Sequence, residues 1–128
     1  MRALVDTHVL IWWLVDLTLL SPAAQTVIAD DRNEIFVSAV SAWEIAIKHK
    51  AGKLPHVAPL MVNLEGAILG EGFMPLPVTI RCGEHAGSLP LHHRDPFDRM
   101  LIAQALAESL TLVSNERLFD QYGVARLW

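Results

Sequence analysis

"RDPFDRMLIAQALAESLTLVS", residues 94–114, holds a helix start, a helix and a strand in one continuous stretch. Asp95 before Pro96 reads as an N-cap followed by proline at the first helical position. The missing proline N–H costs nothing there, and the aspartate can accept from a free backbone N–H. Asp98 falls at the third helical position, where an acid can reach back to the cap amide and meets the positive end of the helix dipole. Capping of this kind contributes about 0.5–2 kcal/mol, enough to account for Asp95 by itself. The apolar run continues to about Ser109, and "LTLVS" (110–114) then reads as a strand. A helix leading straight into an apolar strand is half of a repeating α/β unit.

The flanking sequence supplies the other units. "ALVD" (3–6) is a short apolar run ending in an acid, followed by a helical segment from His8 to about Leu14. Ser21-Pro22 opens a helix over 21–31, and "EIFVSA" (34–39) is a strand rich in β-branched and aromatic residues. Residues 41–53 form a helix closed by Lys48, His49 and Lys50 and stopped at Gly52, and 58–70 reads as one further helix. Two prolines make 73–79 an edge or short strand, and 80–88 reads as a short helix. A turn or short helix at 116–121 precedes a terminal strand at 123–128. This alternation predicts the α/β class with a mainly parallel sheet.

Composition agrees. Hydrophobic residues make up 52% and charged residues 19% of the 128, which suits a parallel sheet covered on both faces. The net charge of −4 argues against nucleic acid held by a broad basic surface, though not against nucleic acid reached through a metal ion. The lone Cys82 cannot form an internal disulfide, and the apolar "VLIWWLV" (9–15) is too short to span a bilayer. A cytoplasmic chain with no membrane segment is the expectation.

The acids occupy telling places. Asp6 ends the first strand, and Glu44 lies in the first turns of the helix after the second. Asp98 lies in the first turn of the helix before "LTLVS", and Glu116 comes two residues after that strand. In an open α/β sheet, strand C-termini and helix N-termini share the edge where ligands bind. Four carboxylates gathered there repel one another unless some protonate or a cation neutralises them. A site made only of oxygen ligands selects a hard ion, Mg²⁺ or Mn²⁺, and phosphate esters are the substrates such ions serve. No serine, cysteine or histidine motif supports a covalent route.

Four ordered blocks also carry a resemblance: "LVDTHVLIWWL", "VSAVSAWEIAIKHKAGKL", "LPLHHRDPFDRMLIAQA" and "LTLVSNERLFDQYGV". Together they resemble the PIN-domain ribonucleases, and more closely the VapC-type toxins of toxin–antitoxin pairs. The resemblance implies a single PIN domain over residues 1–128, with a three-layer α/β/α fold. It implies an Mg²⁺- or Mn²⁺-dependent endoribonuclease, a homodimer, an RNA substrate and a small antitoxin that covers the active site. Carried over by residue, the family's acids are Asp6, Glu44 and Asp98. The fourth falls in "SNERLF", where Ser114 and Glu116 stand in place of the usual Thr and Asp. The longer carboxylate meets an ion differently or through water.

Secondary candidates are Thr7 and Ser114 beside the acids, and Asp95 as cap or outer-sphere group. Lys48, Arg94, Arg99 and Arg117 are candidate RNA-phosphate contacts. Lys48 also lies four residues after Glu44, where an ordinary helix ion pair competes with metal binding. His92 and His93 read mainly as surface and His8 as structural. Trp12 and Trp13 point about 100° apart on one helix, which suggests one of them for a protein interface. The rival reading is a catalytically weak or inactive PIN-like protein-interaction module, with the Glu116 change as its best support. A haloacid-dehalogenase-like enzyme is disfavoured because His8 stands where its second aspartate is needed.

Overall fold

Side chains of the first strand, β1 (Arg2–Val5), divide between two cores: Ala3 and Val5 face one and Leu4 the other. This period-two division is what a strand covered on both faces requires. The computed structural model describes all 128 residues and places β1 at the centre of a five-stranded sheet. Its partners are β2 (Glu34–Ser38), β3 (Met74–Leu76), β4 (Thr111–Val113) and β5 (Arg126–Leu127), in the order β3-β2-β1-β4-β5. All four pairings are parallel, so the sheet is parallel throughout.

The first core packs Val5, Ile35, Val37 and Val113 against α1 (Thr7–Val15), α2 (Pro22–Ala29) and α4 (Leu64–Gly70). The second packs Leu4, Phe36 and Leu112 against α5 (Ile80–Ser88) and α6 (Pro96–Glu108), with Phe119 closing one end. Helix α3 (Ala39–Lys50) serves both, through Ile45 in the first core and Val40 in the second. The result is the three-layer α/β/α arrangement.

Most predicted elements stand where the sequence puts them. Ser21 caps α2 with proline at its first turn, and Gly52 (φ +75°) follows α3 in the left-handed conformation that glycine adopts freely. The expected helix over 58–70 is two pieces: a 3₁₀ run Pro55–Val62 and then α4. Pro59 lies inside the first piece, where its ring prevents a continuous α-helix. Asn63 restarts the chain by accepting from the Gly66 N–H at 2.9 Å. The terminal strand is shorter than expected, with only Arg126 and Leu127 paired to β4. No helix is long and apolar enough to cross a membrane.

The strand order decides where a site can form. From β1 the chain moves outward through β2 and β3, then returns to the other side of β1 for β4 and β5. The reversal falls between β1 and β4, and a crevice opens at the carboxyl ends of such a strand pair. Asp6 follows β1 and Ser114 follows β4 at that point.

Candidate active site

Asp6 is built into both of the elements it joins. Its backbone N–H donates to the Val113 carbonyl at 3.2 Å, tying the end of β1 to the end of β4. Its Oδ1 accepts from the Val9 N–H at 2.8 Å as the cap of α1, and its Oδ2 accepts from the Ser114 hydroxyl. Burial pushes its carboxyl pKa up, against the Ser114 and Val9 hydrogen bonds and the nearby His8, with Glu44 adding repulsion. Ser114 is fully buried and also accepts from the Glu116 N–H at 3.0 Å, so one hydroxyl orders two acid-bearing segments. Thr7 does not reach a carboxylate: its hydroxyl donates to Ser41 Oγ at 3.0 Å and binds the start of α1 to α3.

Glu44 projects from α3 into the interior and is 2% exposed. Its Oε2 holds the Lys48 ammonium at 2.5 Å, the helix pair anticipated from the spacing. Its Oε1 is buried with no hydrogen-bond partner. A desolvated carboxylate oxygen without a donor is costly, so it marks a place prepared for another positive or donor group. Partial burial of Lys48 opposes its charge, but Glu44, Asp95 and Asp98 outweigh that and raise its pKa. Lys48 is therefore a counter-cation inside the acid cluster rather than a free phosphate contact.

Asp98 sits at the third position of α6. Asp95 caps that helix as predicted, with Oδ1 accepting from the N–H groups of Phe97 (2.8 Å) and Asp98 (3.2 Å). The reciprocal bond from Asp98 to the cap amide does not form, because the Asp95 N–H donates to His93 Nδ1 at 3.4 Å instead. That bond assigns the ring proton to Nε2, which lies 2.8 Å from Asp98 Oδ2, close but without aligned hydrogen-bond geometry. Burial first, then the charges of Asp95, Asp6, Glu44 and Glu116, raise the Asp98 pKa from 3.8 to about 8. All four predicted acids thus act on one another across the carboxyl edge of the sheet.

Glu116 contributes its charge while doing a second job. Its Oε1 accepts from the Leu118 N–H at 3.0 Å and caps the 3₁₀ turn Arg117–Tyr122. Its charge also acts on Asp98.

Three further residues depart from the sequence reading. Arg99 is not a phosphate contact: it is buried, and its guanidinium donates to the carbonyls of Leu89 (2.7 Å), Pro90 (2.9 Å), His93 (3.1 Å) and Gly87 (3.3 Å). It holds the loop before α6 in shape. His93, read as surface, is half-buried in that loop. Its N–H donates to the Tyr122 hydroxyl at 2.7 Å, and its ring packs 5.8 Å from Phe119. Gln104, not singled out, accepts from the Ser38 hydroxyl at 2.6 Å and fixes the end of β2 to α6. Arg94 and Arg117 are exposed, as a phosphate contact requires. Neither Trp12 nor Trp13 is fully exposed; Trp43 is the open one, 62% exposed and edge-on to Phe97.

The donor set is carboxylate oxygen throughout, it includes one unpartnered oxygen, and it carries more negative charge than Lys48 alone can balance. In chemistry this fits a hard divalent ion. The side chains stand apart rather than in a closed cage, with no three acidic, histidine or cysteine groups at ligating distances.

The comparisons with known proteins agree with this geometry. The PIN domain family profile matches residues 3–125. Ribonuclease VapC22 of Mycobacterium tuberculosis is 30% identical over 115 residues, covering 89% of this chain and 86% of that protein. Ribonuclease VapC16 of the same organism is 41% identical over 54 residues, 42% of this chain and 38% of that protein. Among solved structures, DNA-bound VapBC from Salmonella typhimurium superposes with TM-score 0.72 at 16% identity, covering 99% of this chain and 97% of that one. VapBC2 from Rickettsia felis, bound to a promoter DNA fragment, gives 0.66 at 15% identity over 99% and 98% of the two chains. At such identities these structures bear on the fold alone, and they share it over its whole length. A sheet reversing between β1 and β4, acids along its carboxyl edge, and a family match over nearly every residue lead to one assignment: the chain belongs to the PIN-domain family, among its VapC-type members.

Proposed function

We propose that this chain is a metal-dependent endoribonuclease and the toxin half of a toxin–antitoxin pair. The observation that supports the reading is the convergence of charge on Asp98 from Asp6, Glu44 and Glu116, carried by separate elements near the sheet's switch point, with Glu44 Oε1 buried and unpartnered. An Mg²⁺ or Mn²⁺ ion held there would supply a water activated for attack on a phosphodiester and neutralise charge on the phosphorus oxygens. Asp6 and Asp98 are the principal ligands in this reading, with Glu44 and Glu116 completing the set directly or through water. Ser114 and the α1 cap hold Asp6 in one orientation, and His93 restrains Asp98. Lys48 holds Glu44 Oε2 in place. The exposed Arg94 and Arg117 are the remaining candidates for RNA phosphates.

A small antitoxin partner is supported by the names of the structural neighbours, two of which are VapBC pairs. A homodimer is supported by apolar side chains left open, including Trp43, Ile47, Ile80 and Leu91. The reading places the protein in the reducing cytoplasm, where the single buried Cys82 stays free.

The test is hydrolysis of labelled RNA by purified protein freed of any partner. Cleavage with Mg²⁺ or Mn²⁺ that stops in EDTA is the expected result. Equal cleavage in EDTA defeats the metal mechanism, and no cleavage with either ion favours an inactive PIN-like interaction module.

A further inference from the structure

We propose that the recess beside Glu116, walled by Asn115, Arg117, Arg126 and Trp128, binds one nucleotide of single-stranded RNA, with its base stacked on Trp128 and its phosphate held by Arg117. The proposal rests on the ribonuclease reading and specifies how that site takes its substrate.

The recess has a volume of about 410 Å³, and none of its four lining residues is acidic. Its position ties it to the acid edge. Asn115 and Arg117 flank Glu116 in sequence, and the Glu116 charge reaches Arg126. Arg126 donates to the Ser114 carbonyl at 3.0 Å, and the hydroxyl of the same serine binds Asp6. The recess therefore borders the segment that carries Glu116.

Its lining differs from the acid cluster beside it. Arg126 is held rigid by Asp120, through contacts of 2.7 and 3.0 Å. Arg117 is exposed and takes part in none of the ion pairs. With Arg126 taken by Asp120, the unpaired Arg117 is the cation left in the recess wall for a phosphate. One cation beside an open indole matches a nucleotide, a phosphate joined to a flat base, better than a basic protein tail, which the cation repels.

Its aromatic wall suits a base. Trp128 is 36% exposed, and its ring lies 5.9 Å from Trp12, which lies 5.9 Å from His8. His8 is exposed and two residues beyond Asp6, so a row of rings runs from the recess toward the acids. Base stacking on such a ring is sequence-tolerant and needs an unpaired nucleotide, while the Asn115 amide can meet a base edge.

The experiment compares kcat and KM of wild type, Trp128→Ala, Trp128→Phe and Arg117→Ala on a single-stranded RNA oligonucleotide with Mg²⁺. A series of the same oligonucleotide carries one abasic nucleotide at successive positions. Circular dichroism verifies that each variant keeps the wild-type fold, and Trp128→Phe retains a ring where alanine disturbs Trp12. Trp128→Ala is expected to lower kcat/KM roughly 5- to 100-fold, mainly through KM, with Trp128→Phe close to wild type. At one abasic position the wild type falls to the level of Trp128→Ala, and the variant loses nothing further. Equal kcat/KM for wild type and Trp128→Ala overturns the subsite alone. So does a Trp128→Ala loss that persists at every abasic position. Wild type that cleaves no RNA overturns the ribonuclease reading, and the subsite falls with it.

Discussion

Asp6 and Asp98 lie on the same edge of the same sheet, yet the fold treats them in opposite ways. Asp6 has both oxygens engaged, by the Val9 N–H and the Ser114 hydroxyl, and its own N–H is bound to Val113. Asp98 accepts no aligned hydrogen bond, faces four other acids and holds its proton up to about pH 8. One aspartate is fixed by construction, and the other is restrained only by His93 and by repulsion. The difference assigns separate duties: Asp6 sets where an ion would sit, and Asp98 is the side chain whose charge the ion's arrival would release. Removing Asp6 should therefore remove the site together with its anchor, while altering the support of Asp98 should tune it.

The largest effect is expected from Asp6→Asn. Asparagine caps a helix about as well as aspartate, so the bond to Val9 and the fold survive. What goes is the negative charge, and cleavage should fall on the order of a thousandfold, since a metal site supplies several kcal/mol of barrier lowering. RNA hydrolysis and growth arrest on induction read this directly. An Asp6→Asn protein that keeps wild-type activity would return the chain to the interaction-module reading.

If Asp98 holds the proposed ion, a smaller effect, roughly 10- to 100-fold in activity or Mn²⁺ affinity, is expected from His93→Ala, the usual cost of losing a group that orients a metal ligand. The ring is held by Phe119, by Tyr122 and by the loop that Arg99 clamps, so its approach to Asp98 is imposed from outside α6. His93→Gln keeps a donor of similar reach and should recover part of the loss. Titration calorimetry with Mn²⁺ and cleavage assays on both variants separate this from mere loosening of the loop. If alanine and glutamine behave alike, or neither changes anything, His93 does not position Asp98.

These two residues also mark how far the sequence could be read. Asp6, the Asp95 cap, the strand order of types and the four acids were legible because their signals are local: an acid after an apolar strand, Asp-Pro before a helix, periodicity switching from two to 3.6. His93, Gln104 and the true role of Arg99 were not, because their partners lie elsewhere in the fold. Ser38 meets Gln104 across 66 residues, and Arg99 answers a loop whose four carbonyls converge only once it is folded. An arginine beside clustered acids looks identical in sequence whether it serves a ligand or the backbone. The break at Asn63 is a different case, since Pro59 and a capping asparagine announced it locally. The Lys48–Glu44 pair shows that two readings of one spacing can both hold, with one carboxylate oxygen paired and the other left open.

The smallest expected effect is on stability, and its sign follows from Asp98 alone. Burial and the charges of Asp95, Asp6, Glu44 and Glu116 raise its folded-state pKa from 3.8 to about 8, while Lys48 and His93 face it from the other side. An acid whose pKa is higher folded than unfolded binds its proton more tightly in the folded state. The stability it contributes is complete below about pH 4 and is lost as pH rises toward 8 and beyond. In EDTA the wild-type Tm should therefore fall between pH 5 and 8.5 by more than that of Asp98→Asn, which has no proton to lose. The variant should be the more stable protein at pH 8.5, by on the order of 1–3 kcal/mol once partial solvent access is allowed for. Mg²⁺ or Mn²⁺ should close most of that gap by stabilising the wild type and not the variant. Parallel Tm curves for the two proteins across this range would mean that the carboxylates do not crowd Asp98, and the contrast between the two aspartates would lose its physical basis.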